Sequence, residues 1–86
     1  MDLDDLLIRY FGIANISPLD PARLATGLDR LKVDFGLERD RGRRFALWTL
    51  MHMLGVAPDL DIAFANETDR DAARSFMDLT DRVDER

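Results

Sequence analysis

The sequence contains no cysteine, one histidine (His52) and one lysine (Lys32). Without cysteine there are no disulfides, no thiolate metal sites and no cysteine nucleophile, which suits a reducing cytoplasm. Arginine supplies the other eleven cations, a bias we read as the codon usage of a GC-rich bacterial genome. The chain has no glycine-rich phosphate loop and no HExxH pair. No run alternates with period 2 over the length of a strand, and no Asn-Gly or Asp-Gly hairpin signal occurs. The longest apolar run, from Phe45 to Leu54 with Thr49 and His52 inside it, is far short of the ~20 residues that span a bilayer. The first residues, MDLDDLL, are acidic where a signal peptide is basic. A soluble, cytoplasmic protein with no membrane partner is expected.

Charge narrows the partners. Seventeen acids against twelve bases leave a net charge of −5, so bulk attraction to DNA, RNA or an anionic membrane is not expected. With 86 residues there is room for one domain and one core, and 47% apolar residues with this modest charge argue against disorder.

What is present is helical. The stretch RDRGRRFALWTLMHMLG, Arg39 to Gly55, is apolar on nearly every face from Phe45 onward, which marks a helix buried on most sides. Gly55 and Pro58 stop it, because glycine tolerates a left-handed cap and proline cannot continue a helix. Asp40 is the expected cap, or the helix begins near Glu38 if the connection is tighter. Before it, Leu3, Leu6, Leu7, Tyr10 and Phe11 repeat at helical spacing behind Asp2 as cap, and Gly12 ends that helix. Ile13 and Ile16 are expected to pin the next loop to the core.

Two caps compete for the second helix, Ser17 before Pro18 and Asp20 before Pro21. The latter places Pro21 at the first helical position, where its missing N–H costs nothing. Leu24, Leu28, Leu31 and Phe35 form its seam, and Gly36 is expected as the stop. Gly27 lies on that seam, where a mid-helix glycine costs ~1 kcal/mol against alanine and implies close approach of another helix.

Beyond Gly55, residues 59–64 leave room for one short helical turn, pinned by Leu60, Ile62 and Phe64. Asn66 or Thr68 caps a last helix with Ala72, Phe76, Leu79 and Val83 inward and an Asp78–Arg82 pair outside. The expectation is an all-α, single-domain bundle of four main helices, about 2–12, 20–35, 40–54 and 67–83. They pack around helix 40–54, with residues 84–86 frayed.

Little of this points to chemistry. His52, between Met51 and Met53, lacks a second group at helical spacing for acid–base work, so a packing imidazole with one backbone partner is expected. From Asp59, a calcium loop would need an oxygen ligand, glycine and glutamate where the chain has Ala63, Phe64 and Arg70. A helix-turn-helix reader usually has a small residue four positions before its turn glycine; Gly27, Gly36 and Gly55 are preceded there by Arg23, Lys32 and Met51. Met51, Met53 and Met77 more often fill a core than line an adaptable groove. We therefore expect no catalytic residue, no metal and no cofactor.

The stretch that breaks local rules is Arg39, Arg41, Arg43 and Arg44 with Gly42. Cations in a first turn oppose the helix dipole, and Gly42 weakens that turn. Broken local rules mark a function or a compensating partner. The compensation is either an external protein or anion, or the acidic end of the chain: residues 59–86 hold nine acids and four bases, whereas residues 1–58 balance at eight each. The internal pairing is the commoner case. The functional expectation is a non-catalytic bacterial protein–protein interaction or regulatory domain of unknown partner and oligomeric state, with these arginines as candidate contacts. The alternative is a binding module for a small phosphorylated or other anionic ligand at the same helix start.

Overall fold

A computed structural model describes residues 3–15 and 19–84, with side chains described as far as Thr80. The expected cap Asp2, the loop residue Ile16, the alternative cap Ser17 and the side chains of Arg82 and Val83 lie outside what is described. Five helices follow one another: α1 (Leu3–Phe11), α2 (Pro21–Leu37), α3 (Arg41–Met53), α4 (Leu60–Ala63) and α5 (Glu67–Asp84). No strand occurs among the described residues. The fold is the expected all-α bundle with four long helices and one short turn.

Each boundary has a local cause. α1 stops at Gly12, whose φ of 76° places it in the left-handed region while its N–H bonds to the Ile8 carbonyl at 2.8 Å. α2 starts from Asp20, whose carboxylate accepts from the Arg23 N–H at 2.8 Å, with Pro21 in the first turn. Asp40 caps α3 in the same way, accepting from the Arg43 N–H at 2.9 Å. α3 ends at Gly55, φ 77°, where the Gly55 N–H reaches the His52 carbonyl and the Val56 N–H the Met51 carbonyl at 2.9 Å. That pair of bonds is the usual left-handed closure of a helix. Asn66, not Thr68, caps α5: its side chain accepts from the Thr68 N–H at 2.7 Å.

Gly36 does not stop α2. The helix runs on through Leu37, and Gly36 keeps a right-handed conformation. The Glu38 N–H reaches the Phe35 carbonyl at 3.3 Å, and the Arg44 guanidinium also donates to the carbonyls of Phe35 and Glu38. A side chain from the next helix does what a left-handed glycine would otherwise do.

α1, α2 and α3 pack against one another, α5 packs on α3, and α4 packs on α5. Extents of 36 × 36 × 21 Å correspond to a slab about two helices thick. α3 is the centre, as expected: Leu47, Trp48, Leu50 and Met51 are buried, and Trp48 is only 1% exposed. Phe64, just after α4, holds the aromatic layer together. Its ring lies 6.4 Å from Phe35, 5.8 Å from Phe45 and 5.8 Å from Trp48. The close approach at Gly27 is present: a β-carbon there would overlap the Phe11 ring and stand 2.8 Å from the Tyr10 carbonyl oxygen.

Three apolar expectations fail. Ile13 and Ile62 are exposed rather than pinned. On α5 the inward residues are Ala73, Phe76, Met77 and Thr80, while Ala72 and Leu79 face out. Hydropathy ranks Ala72 with Ala73 and prefers Leu79 to Thr80; Phe76 belongs to both faces, and the packing of Ala73 and Met77 beside it in the core turns Leu79 outward. Thr80 tolerates the inner position because its hydroxyl donates to the helix carbonyls of Phe76 and Met77.

Candidate functional site

The arginine stretch resolves into four different environments. The Asp40 cap puts Arg41 and Arg43 in the first turn of α3 and Arg44 just beyond. Arg44 points inward: Nε donates to the Ala63 carbonyl at 2.9 Å, and Nη1 donates to Phe35 at 2.6 Å and Glu38 at 3.3 Å. Its guanidinium carbon lies 4.0 Å over the Phe35 ring. One cation thus ties the end of α2, the start of α3 and the end of α4 together. Only a planar fork of donors can reach three carbonyls and stack at once.

Arg41 crosses to α5 and meets Asp69 through two parallel bonds, Nε to Oδ2 at 3.1 Å and Nη2 to Oδ1 at 2.9 Å. The hydrogen bonds from Arg41 hold the Asp69 carboxyl below its ordinary value, and Asp69 raises the Arg41 guanidinium in return. The pair is exposed, so it orients the two helices more than it stabilises them. Arg43 leans on Glu38 at 3.4 Å. Glu38 also accepts from the backbone N–H groups of Arg39 and Asp40, which fixes the connection between α2 and α3. The Arg39 side chain is exposed and makes no hydrogen bond or ion pair among the described residues.

Next to Arg43 lies a cleft of about 200 Å³ where α1, α2 and α3 meet. Leu6, Leu37 and Leu47 give it apolar walls, and Arg9, Asp34 and Glu38 add charge. Tyr10 is buried and donates its hydroxyl to Asp34 at 2.6 Å. Burial above all, and then the bond to Asp34, push the phenol up to about 12. Leu37 stands at the cleft with 74% of its surface exposed, and Val33, one turn earlier, is also open. Sequence reasoning placed Leu37 in a connection and missed it. Its signal was weak, since it falls off the Leu24–Phe35 seam.

The other candidates are absorbed by packing. His52 stacks on Trp48 with ring centroids 5.2 Å apart and planes within 8°, and meets the Phe76 edge at 5.9 Å. Its partners are rings rather than the expected backbone group. Met51 is in the core and Met53 is exposed, so the three methionines do not form one groove. Among the described residues no group of three or more acids and histidines is placed to hold a metal ion, and no helix is long and apolar enough to cross a membrane.

Comparison with known proteins finds no family model, no curated protein and no solved structure that matches the chain.

Proposed function

We propose that this chain is a non-catalytic interaction domain that presents the junction of α2 and α3 to a protein partner. The observation that carries it is exposed Leu37 two residues before exposed Arg39, whose guanidinium has no partner among the described residues. An open leucine beside free and weakly paired arginines has the composition of an interface anchor, where apolar area and arginine are enriched. The side chains best suited to chemistry are used for architecture, His52 in a ring stack and Arg44 in a carbonyl cap. A bacterial, cytoplasmic setting belongs to the same proposal and rests on the arginine bias and the lack of cysteine.

The anion-ligand alternative has less support at this helix start. The Asp40 carboxylate already occupies the Arg43 N–H, and Arg44 is committed to carbonyls. The test compares the native domain with Leu37→Asp/Arg39→Glu, two exposed positions outside the core. Affinity capture from a bacterial lysate, with circular dichroism as the control for folding, is expected to retain a partner on the native domain and lose it on the variant. Equal retention by both would overturn the proposal. So would saturable amide shifts at residues 41–44 on titration with inorganic phosphate, which would establish the anion site instead.

A further inference from the structure

We propose that the groove between α1 and α2 is a second contact surface, one that receives an acidic amphipathic helix of a partner protein. The groove, of about 410 Å³, is built by the close approach at Gly27, where the Phe11 ring and the Tyr10 carbonyl of α1 lie directly on the α2 backbone. Its rims carry Arg9 from α1 and Arg23 and Arg30 from α2, and among the described residues no carboxylate lines it. That is unusual in a chain with seventeen acids and twelve bases. Among the described residues, no ion pair or hydrogen bond engages the guanidinium groups of Arg23 or Arg30, and Arg9 makes only a distant ring contact, 6.0 Å from the Tyr10 centroid. Asp34, with its carboxylate taken by Tyr10, lines the neighbouring cleft with Arg9 and also a shallow hollow with Asp29 and Arg30.

Three like charges along one groove, beside an apolar lip at half-exposed Ile8, define the complement: carboxylates flanking an apolar stripe. Arginine forks bind carboxylates through two bonds each. Arg23 and Arg30 are seven residues apart, about 10.5 Å along α2, the separation of carboxylates seven apart on a docked helix. Nucleic acid fits less well because the whole molecule carries −5 and repels a polyanion at range. A single small anion fits less well because the three cations are spread over two helices instead of converging. The surface adjoins the cleft at Leu37, since Arg9 lines both, but of the two only the groove is lined by Arg23 and Arg30.

The test uses the full chain and a synthetic helical peptide of about 18 residues, with a leucine stripe and glutamates seven apart, beside a twin carrying glutamine for glutamate. Backbone amide NMR is expected to show saturable shifts at residues 8–12 and 22–30 with the glutamate peptide. Affinity should fall at least about ten-fold for the glutamine twin and for Arg23→Glu/Arg30→Glu, and also on adding salt. Both positions are exposed, so the variant is expected to keep its melting temperature. Equal binding of the two peptides, no saturable shift, or shifts confined to other residues would overturn the proposal. Concentration-dependent shifts at the same residues without peptide would also overturn it, by showing that a second copy fills the groove. Leu37→Asp/Arg39→Glu should leave peptide binding unchanged, which separates failure of this surface from failure of the other.

Discussion

Arg44 donates to the Phe35 carbonyl at 2.6 Å and lies 4.0 Å above the ring of the same residue. The cation therefore closes the end of α2 twice, once at the backbone and once at the side chain, while its Nε secures Ala63 on the far side. A hydrogen bond from a charged donor is worth about 1.5–3 kcal/mol, and removal leaves the Phe35 carbonyl with only the Glu38 N–H at 3.3 Å. Arg44→Ala is expected to cost about 2–4 kcal/mol in a urea titration. Arg44→Lys should recover little, since an ammonium cannot reproduce the planar fork. Arg39→Ala, with nothing to lose in the fold, should stay within about 0.5 kcal/mol of the native domain.

Gly27 gives an expectation opposite to helix propensity. Alanine would improve propensity by about 1 kcal/mol, yet its β-carbon would meet the Phe11 ring and the Tyr10 carbonyl. Backbone cannot yield as a flexible side chain does, so overpacking of about 1–3 kcal/mol should dominate. Thermal melts of Gly27→Ala and Gly27→Leu are expected to fall in that order; a rise for either would show that α1 does not sit there. Gly36→Ala is the control: nothing lies within 4 Å of its β-carbon position and its conformation is right-handed, so it should raise stability.

Trp48 is enclosed, and its Nε1 has no hydrogen-bond partner among the described residues. Trp48→Ala should cost about 3–5 kcal/mol through lost burial and the cavity left behind. Trp48→Phe should cost clearly less, because it also removes a buried donor that contributes an unmet desolvation penalty of about 1–3 kcal/mol. Equal losses for the two variants in guanidinium titrations would mean that the indole N–H is satisfied in solution.

Tyr10 is the only tyrosine, so its ionisation can be followed directly by tyrosinate absorbance. Burial and the bond to Asp34 push the folded phenol up to about 12 from an ordinary value of 10.0. A raised folded value means that the native state holds the proton more tightly. Its stabilising contribution is complete below pH 10 and is lost as pH rises through the folded value. Asp34→Asn should lower the midpoint while leaving it above the ordinary value, because burial is the larger cause and the carboxylate the smaller. A native midpoint near 10 would show that the hydroxyl is open to water.

The sequence by itself determined the helices and most of their ends. Asp20 with Pro21, Asp40, Gly12 and Gly55 act through hydrogen bonds within a few residues and through backbone freedom that belongs to one residue, so spacing alone reveals them. It also determined that α3 is central, because a segment apolar on nearly every face has to be enclosed. It showed that the first-turn arginines need compensation, but not which partner answers each. Tertiary structure decided that Arg44 caps α2, that Arg41 reaches Asp69 twenty-eight residues away, and that Gly36 stays helical as a result. It decided the rotation of α5, where Ala73 and Met77 join Phe76 in the core and Leu79 turns outward. It also assembled the groove of Arg9, Arg23 and Arg30, which no linear pattern announces, since the three become neighbours only when Gly27 lets α1 and α2 touch. Short-range geometry is written residue by residue, whereas side-chain pairing and surface composition depend on which helices meet and at what rotation.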